Sequence, residues 1–145
     1  MYLDAFLLFS DEQAVTATAN STNVVDTSVA RDIGIGEQLW LFILVTETMD
    51  DTGDDSTLTV ALVTDDNAAL SSPATIQTLV VIPATTAAGT FYVFPLPAAV
   101  LAEYQRYIGL TYTPTGGNLS AGKFKAGIVK DIQHFTAFAS GYSIS

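Results

Sequence analysis

The chain has no cysteine and a single histidine, His134. Without cysteine there is no disulfide framework and no thiolate to serve as nucleophile or metal ligand. A lone histidine also argues against a transition-metal centre. A Ser-His-Asp hydrolase would need His134, but the sequence contains no nucleophile elbow, and His134 sits in a tail of Gly, Ser and aromatic residues. It reads as a packing or surface residue. Charge is scarce as well: 14% of residues are charged, and fifteen acids face five bases for a net charge of −10. That balance excludes a basic groove for a nucleic-acid backbone. The longest strongly apolar run, LWLFILV at 39–45, is too short to cross a bilayer as a helix. The apolar pulse AFLLF near the N-terminus follows no Lys or Arg and has acids on both sides, so it does not read as a signal peptide.

What is abundant is strand-forming material. Val, Ile, Thr, Phe and Tyr recur while Glu, Lys and Arg are few, a mix that suits β-structure and not a helical bundle. LWLFILVTET (39–48) is apolar on both faces and predicts a central strand covered on each side. TLTVALVT (57–64) alternates, with Leu58, Val60 and Leu62 on one face and Thr57, Thr59 and Ala61 on the other. TIQTLVVI (75–82), FYVFPL (91–96), RYIGLTYT (106–113) and KFKAGIVKD (123–131) follow, and VTATA (15–19) and NVVD (23–26) are weaker strands. In the last long strand Phe124, Ala126 and Ile128 should point inward and Lys123 and Lys125 outward. The expected fold is all-β, a jelly-roll-like sandwich of about eight short antiparallel strands in a single domain over 1–145. One or two helical turns are expected at most, in PAAVLAEYQ (97–105). Residues 1–12 read as an N-terminal arm and 132–145 as a C-terminal tail.

Three stretches invite chemistry. MDDTGDDS (49–56) gathers four carboxylates around one glycine. Hard cations such as calcium want oxygens, but the spacing is not that of an EF-hand and no Glu closes the loop. It reads as a solvated hairpin loop between two strands, as does the glycine-rich PTGGNLSAG (114–122). Asp65 and Asp66 end a strand. Adjacent residues on an extended chain point apart, so the pair reads as Asx-type turn caps and not as an acid/base pair. Gly34-Ile35-Gly36 lacks the third glycine and the following helix that phosphate binding requires. No catalytic residue, metal ligand or cofactor site emerges.

The charge is lopsided. Residues 1–105 hold fourteen of the fifteen acids and one base, Arg31, whereas Arg106, Lys123, Lys125 and Lys130 face only Asp131 in the remainder. Apolar and aromatic residues crowd both ends.

In order along the chain, DEQAVTATANSTNVVD, ARDIGIGEQLWLFILV, LTVALVTDDNAALSSPATI, RYIGLTYTPTGGNLSAGKFKAGIVKDIQ and ASGYSI resemble the small jelly-roll cement (decoration) proteins of tailed-bacteriophage capsids. The resemblance spans nearly the whole chain. It implies a non-enzymatic virion protein without cofactor, made in the bacterial host cytoplasm. Its place would be the outer capsid surface, where it locks subunits of the major capsid protein together against the pressure of packaged DNA. The same resemblance implies a homo-oligomer, a dimer or a trimer, with no direct contact to nucleic acid or membrane. Candidate contact residues on this reading are Tyr2, Leu3, Phe6, Leu7 and Phe9 in the first segment, and Phe135, Phe138 and Tyr142 in the tail. Lys123, Lys125 and Lys130 are candidate partners for an acidic capsid surface. The competing reading is a carbohydrate-binding, lectin-like jelly roll of a phage particle, using loop carboxylates with calcium and an aromatic platform. Trp40, the lone tryptophan, lies inside the most apolar strand, which favours packing over display.

Overall fold

The computed structural model describes residues 3–28, 38–97 and 104–130. Within them the chain forms a short 3-10 turn at Ala5–Leu7 and nine strands: β1 (Leu8–Ala14), β2 (Ala19–Asn20), β3 (Val25–Asp26), β4 (Trp40–Asp50), β5 (Thr57–Asp65), β6 (Ala74–Pro83), β7 (Phe91–Pro95), β8 (Tyr107–Thr115) and β9 (Ala121–Val129). Among the described residues there is no α-helix. The short helix expected at 97–105 and the Gly34–Gly36 turn fall largely or wholly outside the described residues, as do Arg31, His134 and the C-terminal tail.

All strand pairs are antiparallel, in two sheets. One has the order β1-β9-β4-β7 and the other β2-β8-β5-β6, with β3 also on β8. The pairing is nested. β5 pairs with β6, β4 with β7, β2 and β3 with β8, and β1 with β9. The chain is thus one long hairpin with its apex between β5 and β6. Rolling that hairpin up adds the β4·β9 and β5·β8 ladders, which knit the two layers of paired strands into sheets. This is the jelly-roll sandwich anticipated from strand number and spacing.

The rolled path corrects two local expectations. Residues 51–56 connect β4 to β5, and residues 116–120 connect β8 to β9; each carries the chain from one sheet to the other. Neither is a hairpin. Polar, Gly-containing loops make crossovers as readily as hairpins, and only the long-range pairing distinguishes them. Among the described residues the one hairpin between successive long strands is β5–β6, closed by the apex loop over 66–73. The expected arm is also shorter than residues 1–12, because Leu8–Ala14 is a sheet strand.

Between the sheets lies the core. Leu58, Val60 and Leu62 of β5 meet Leu41, Ile43 and Val45 of β4, and Phe124, Ala126 and Ile128 of β9 point inward as their alternation requires. Tyr112 of β8 is fully buried; its ring stacks on Phe124 at 5.7 Å and its hydroxyl meets the Ser10 hydroxyl of β1 at 2.7 Å. One aromatic residue therefore ties the two sheets by dispersion and by a hydrogen bond that satisfies its polar tip.

Candidate functional site

The two outer faces of the sandwich differ in kind. On the β2-β8-β5-β6 sheet, outward positions carry Thr59 opposite Thr113, and Thr57 opposite Thr115. That is the ordinary polar exterior of a half-solvated antiparallel sheet. Val81 of β6, opposite Thr59, stands 53% exposed among these threonines, while Leu70 from the apex loop packs on Ala61, Val63 and Val24. Gly109 makes room for it. A Cβ there would stand 2.6 Å from Leu70 Cδ1.

The β1-β9-β4-β7 sheet breaks the alternation. The outward positions of β4 are Trp40, Phe42 and Leu44, opposite Pro95, Val93 and Phe91 on β7 and Val129, Gly127 and Lys125 on β9. They form a second apolar cluster with Leu8, separate from the core, in which the Phe42 and Phe91 rings stack at 6.0 Å. The double-sided apolar character of LWLFILV thus has a structural meaning: one side is the core between the sheets and the other is a second, outer cluster, in which Phe42 is buried and Trp40 and Leu44 are partly buried. Trp40 belongs to this outer cluster, partly buried, and not to the core between the sheets. Gly127 lets β1 cross closely, because a Cβ there would meet the Leu7 carbonyl oxygen at 2.8 Å.

Within this face lies a shallow groove of about 120 Å³, lined by Leu3, Glu12, Phe42, Leu44, Thr46, Phe91 and Lys125. The Thr46 hydroxyl oxygen is buried there without a hydrogen-bond partner, an uncommon state for an enclosed polar atom. Glu12 sits at a bulge in β1 with φ of 53°, a left-handed conformation that side-chain-bearing residues seldom adopt.

The expected contact residues divide. Leu3 lines the groove, and Phe6 projects at 85% exposure from a turn capped by the Asp4 carboxylate, which accepts the Phe6 N–H at 2.9 Å. Leu7 is half-buried against the core and Phe9 is enclosed within it, so the Phe9 side chain holds the sandwich together. Lys123 and Lys125 point outward but already have partners, Glu47 at 2.8 Å and Asp11 at 3.0 Å. The Lys123 ammonium beside Glu47 holds that carboxyl below the usual range, and Lys123 is raised in return. Lys130 also has an interaction of its own. Tyr2, Phe135, Phe138 and Tyr142 lie outside the described residues.

The acidic stretches are used structurally. Asp51 accepts the Ser56 N–H at 3.1 Å, closing the 51–56 crossover, and Asp50 accepts the Ser120 hydroxyl at 3.1 Å. Among the described residues no three His, Cys, Asp or Glu side chains are placed to hold a metal. Asp65 turns inward and Asp66 outward. Asp65 accepts the Ser72 N–H at 2.9 Å and the Asn67 N–H at 3.2 Å, spanning the apex loop. Those bonds, the Ser72 one foremost, hold its carboxyl below the usual range.

Two antiparallel four- and five-stranded sheets rolled from one nested hairpin, one of them backed by a second apolar cluster on its outer side, define a jelly-roll β-sandwich. The chain belongs to the Bbp16 family, whose model matches residues 9–128, from β1 almost to the end of β9. It is a phage-type family, and the protein is accordingly phage-associated. No curated protein matches the sequence.

Proposed function

We propose that the protein is a capsid cement protein, which binds the outer surface of an assembled phage shell and bridges neighbouring subunits of the major capsid protein. The observation that carries this reading is the second apolar cluster, with its groove, on the outer side of the β1-β9-β4-β7 sheet, set against the threonine-rich outer side of the other. Phe42 is buried in this cluster, but Trp40, Leu44 and Phe91 are only partly covered, and Leu44 and Phe91 open onto a groove, which suits a module with a docking side and a solvent side. Membership of a phage-type family and the resemblance along the chain to decoration proteins support the same reading.

Mechanically, a shell filled with self-repelling DNA fails where subunits part. A protein gripping two subunits adds interface across that seam. Once one contact forms, the second is effectively intramolecular, so two modest contacts give high avidity. Copies related by a capsid axis would be a symmetric dimer or trimer. The test is sedimentation of the full chain with assembled capsids and, separately, with free capsid subunits. The expected outcome is co-sedimentation with shells and none with free subunits. Absence from the capsid fraction at micromolar concentration would sink the proposal.

A further inference from the structure

We infer that the groove on the β1-β9-β4-β7 face is the anchor site for a partner polypeptide, and that it takes one aromatic or branched aliphatic side chain flanked by Lys or Arg. This deepens the capsid reading and rests on it for the identity of the partner, though not for the chemistry of the site. Size sets the first requirement. The groove measures about 120 Å³, and an enclosed cavity of roughly 150 Å³ holds one benzene ring. It therefore accepts a single large side chain, the usual form of an interface hot spot. Phe42, Leu44 and Phe91 supply apolar walls.

Charge sets the second requirement. Near the groove, Lys125 is paired with Asp11 and Lys123 with Glu47. Glu12 lines the groove and forms no ion pair among the described residues, although Lys123 lies within its field. The face therefore carries one acid more than bases, on a chain whose net charge is −10. An acidic partner is repelled and a cationic one is attracted. The left-handed backbone at Glu12 fits this role, because strain that persists at an exposed bulge tends to mark a functional position.

The test has two arms, both on the full chain. In the first, emission of Trp40, the only tryptophan and a member of this cluster, is followed while a capped Gly-Lys-Phe-Lys-Gly peptide is added. A saturable change is expected, at least tenfold weaker for Gly-Glu-Phe-Glu-Gly and for the Leu44→Glu variant. Glu12→Gly, which relieves the backbone and so keeps the fold, should weaken the Lys-flanked peptide alone. No saturable change, or an equal response to both peptides, overturns the inference. In the second arm, Leu44→Glu on this face and Thr113→Glu on the opposite face are compared for capsid co-sedimentation, with circular dichroism as the folding control. Loss in Leu44→Glu with retention in Thr113→Glu supports the assignment. Equal binding by parent and Leu44→Glu refutes the groove and leaves the cement reading standing. No binding by the parent, with peptide binding intact, refutes the cement reading and leaves the groove.

Discussion

Replacing Gly109 by Ala adds one methyl group in a place already occupied. That methyl would lie 2.6 Å from Leu70 Cδ1, 3.1 Å from the Ser21 hydroxyl oxygen and 3.3 Å from Val24 Cγ1. Ser21 cannot retreat cheaply, because its oxygen accepts the Leu110 N–H at 3.1 Å and donates to the Asn23 carbonyl at 2.8 Å. Leu70 must therefore move, and it is 2% exposed with a φ of 49°. Overpacking of this kind costs about 1–3 kcal/mol. Leu70→Ala removes the plug instead, and buried Leu truncations cost about 2–5 kcal/mol. In the double variant the methyl added at position 109 enters the space that the Leu70 side chain left. The coupling should return roughly 1–2 kcal/mol relative to additivity, within the range for residues in contact. Urea unfolding of the four proteins, read at constant m-value, measures this directly. Single and double losses that add to within about 0.5 kcal/mol would show that Gly109 is not held open for Leu70.

Tyr112→Phe removes the hydroxyl that meets Ser10 across the core; since Ser10 keeps Gln13 at 2.7 Å, the loss should be near 1 kcal/mol, and a loss above about 3 kcal/mol would show that the bond anchors a larger network. Asp65 has a folded pKa below its free value of 3.8, so its contribution is present above that value and disappears as pH falls through the folded one. Melting temperature plotted against pH should accordingly fall less steeply on the acid side for Asp65→Asn than for the parent, and parallel curves would refute the staple role. Glu12→Gly exchanges a left-handed strain of about 1–2 kcal/mol for a smaller unfolded-state entropy term. The variant should be about 0.5–1 kcal/mol more stable, and destabilisation in urea would mean that the bulge is held by the Glu12 side chain.

Much of the fold was legible because β5 and β9 obey a period of two. Leu58, Val60 and Leu62, and Phe124, Ala126 and Ile128, are buried as the pattern demands. The loops were not legible in the same way. The Asp-Thr-Gly-Asp-Asp and Gly-Gly signals at 51–55 and 114–117 specify reversal of direction but not the sheet that the chain enters next. That choice is fixed by ladders such as Leu41 to Ile128 and Leu62 to Leu110, between residues far apart in sequence. The groove was half legible. LWLFILV announced two apolar faces, but which neighbours completed the outer one depended on β7 and β9 arriving from elsewhere. The pairing of Lys123 and Lys125 was not legible for a related reason, since their partners Glu47 and Asp11 lie on other strands.

The nested pairing also sets how the molecule bears load. Leu8, at the start of β1, is paired with Gly127, near the end of β9, so the strand ends leading to the two termini lie side by side at one corner. Pulling those ends apart opens β1·β9 like a zipper, one hydrogen bond at a time, the arrangement least able to resist force. Load entering through the β1-β9-β4-β7 face is instead shared by several ladders at once. A protein of this topology that holds other molecules together is strong when gripped by its sheet and weak when gripped only by its tails.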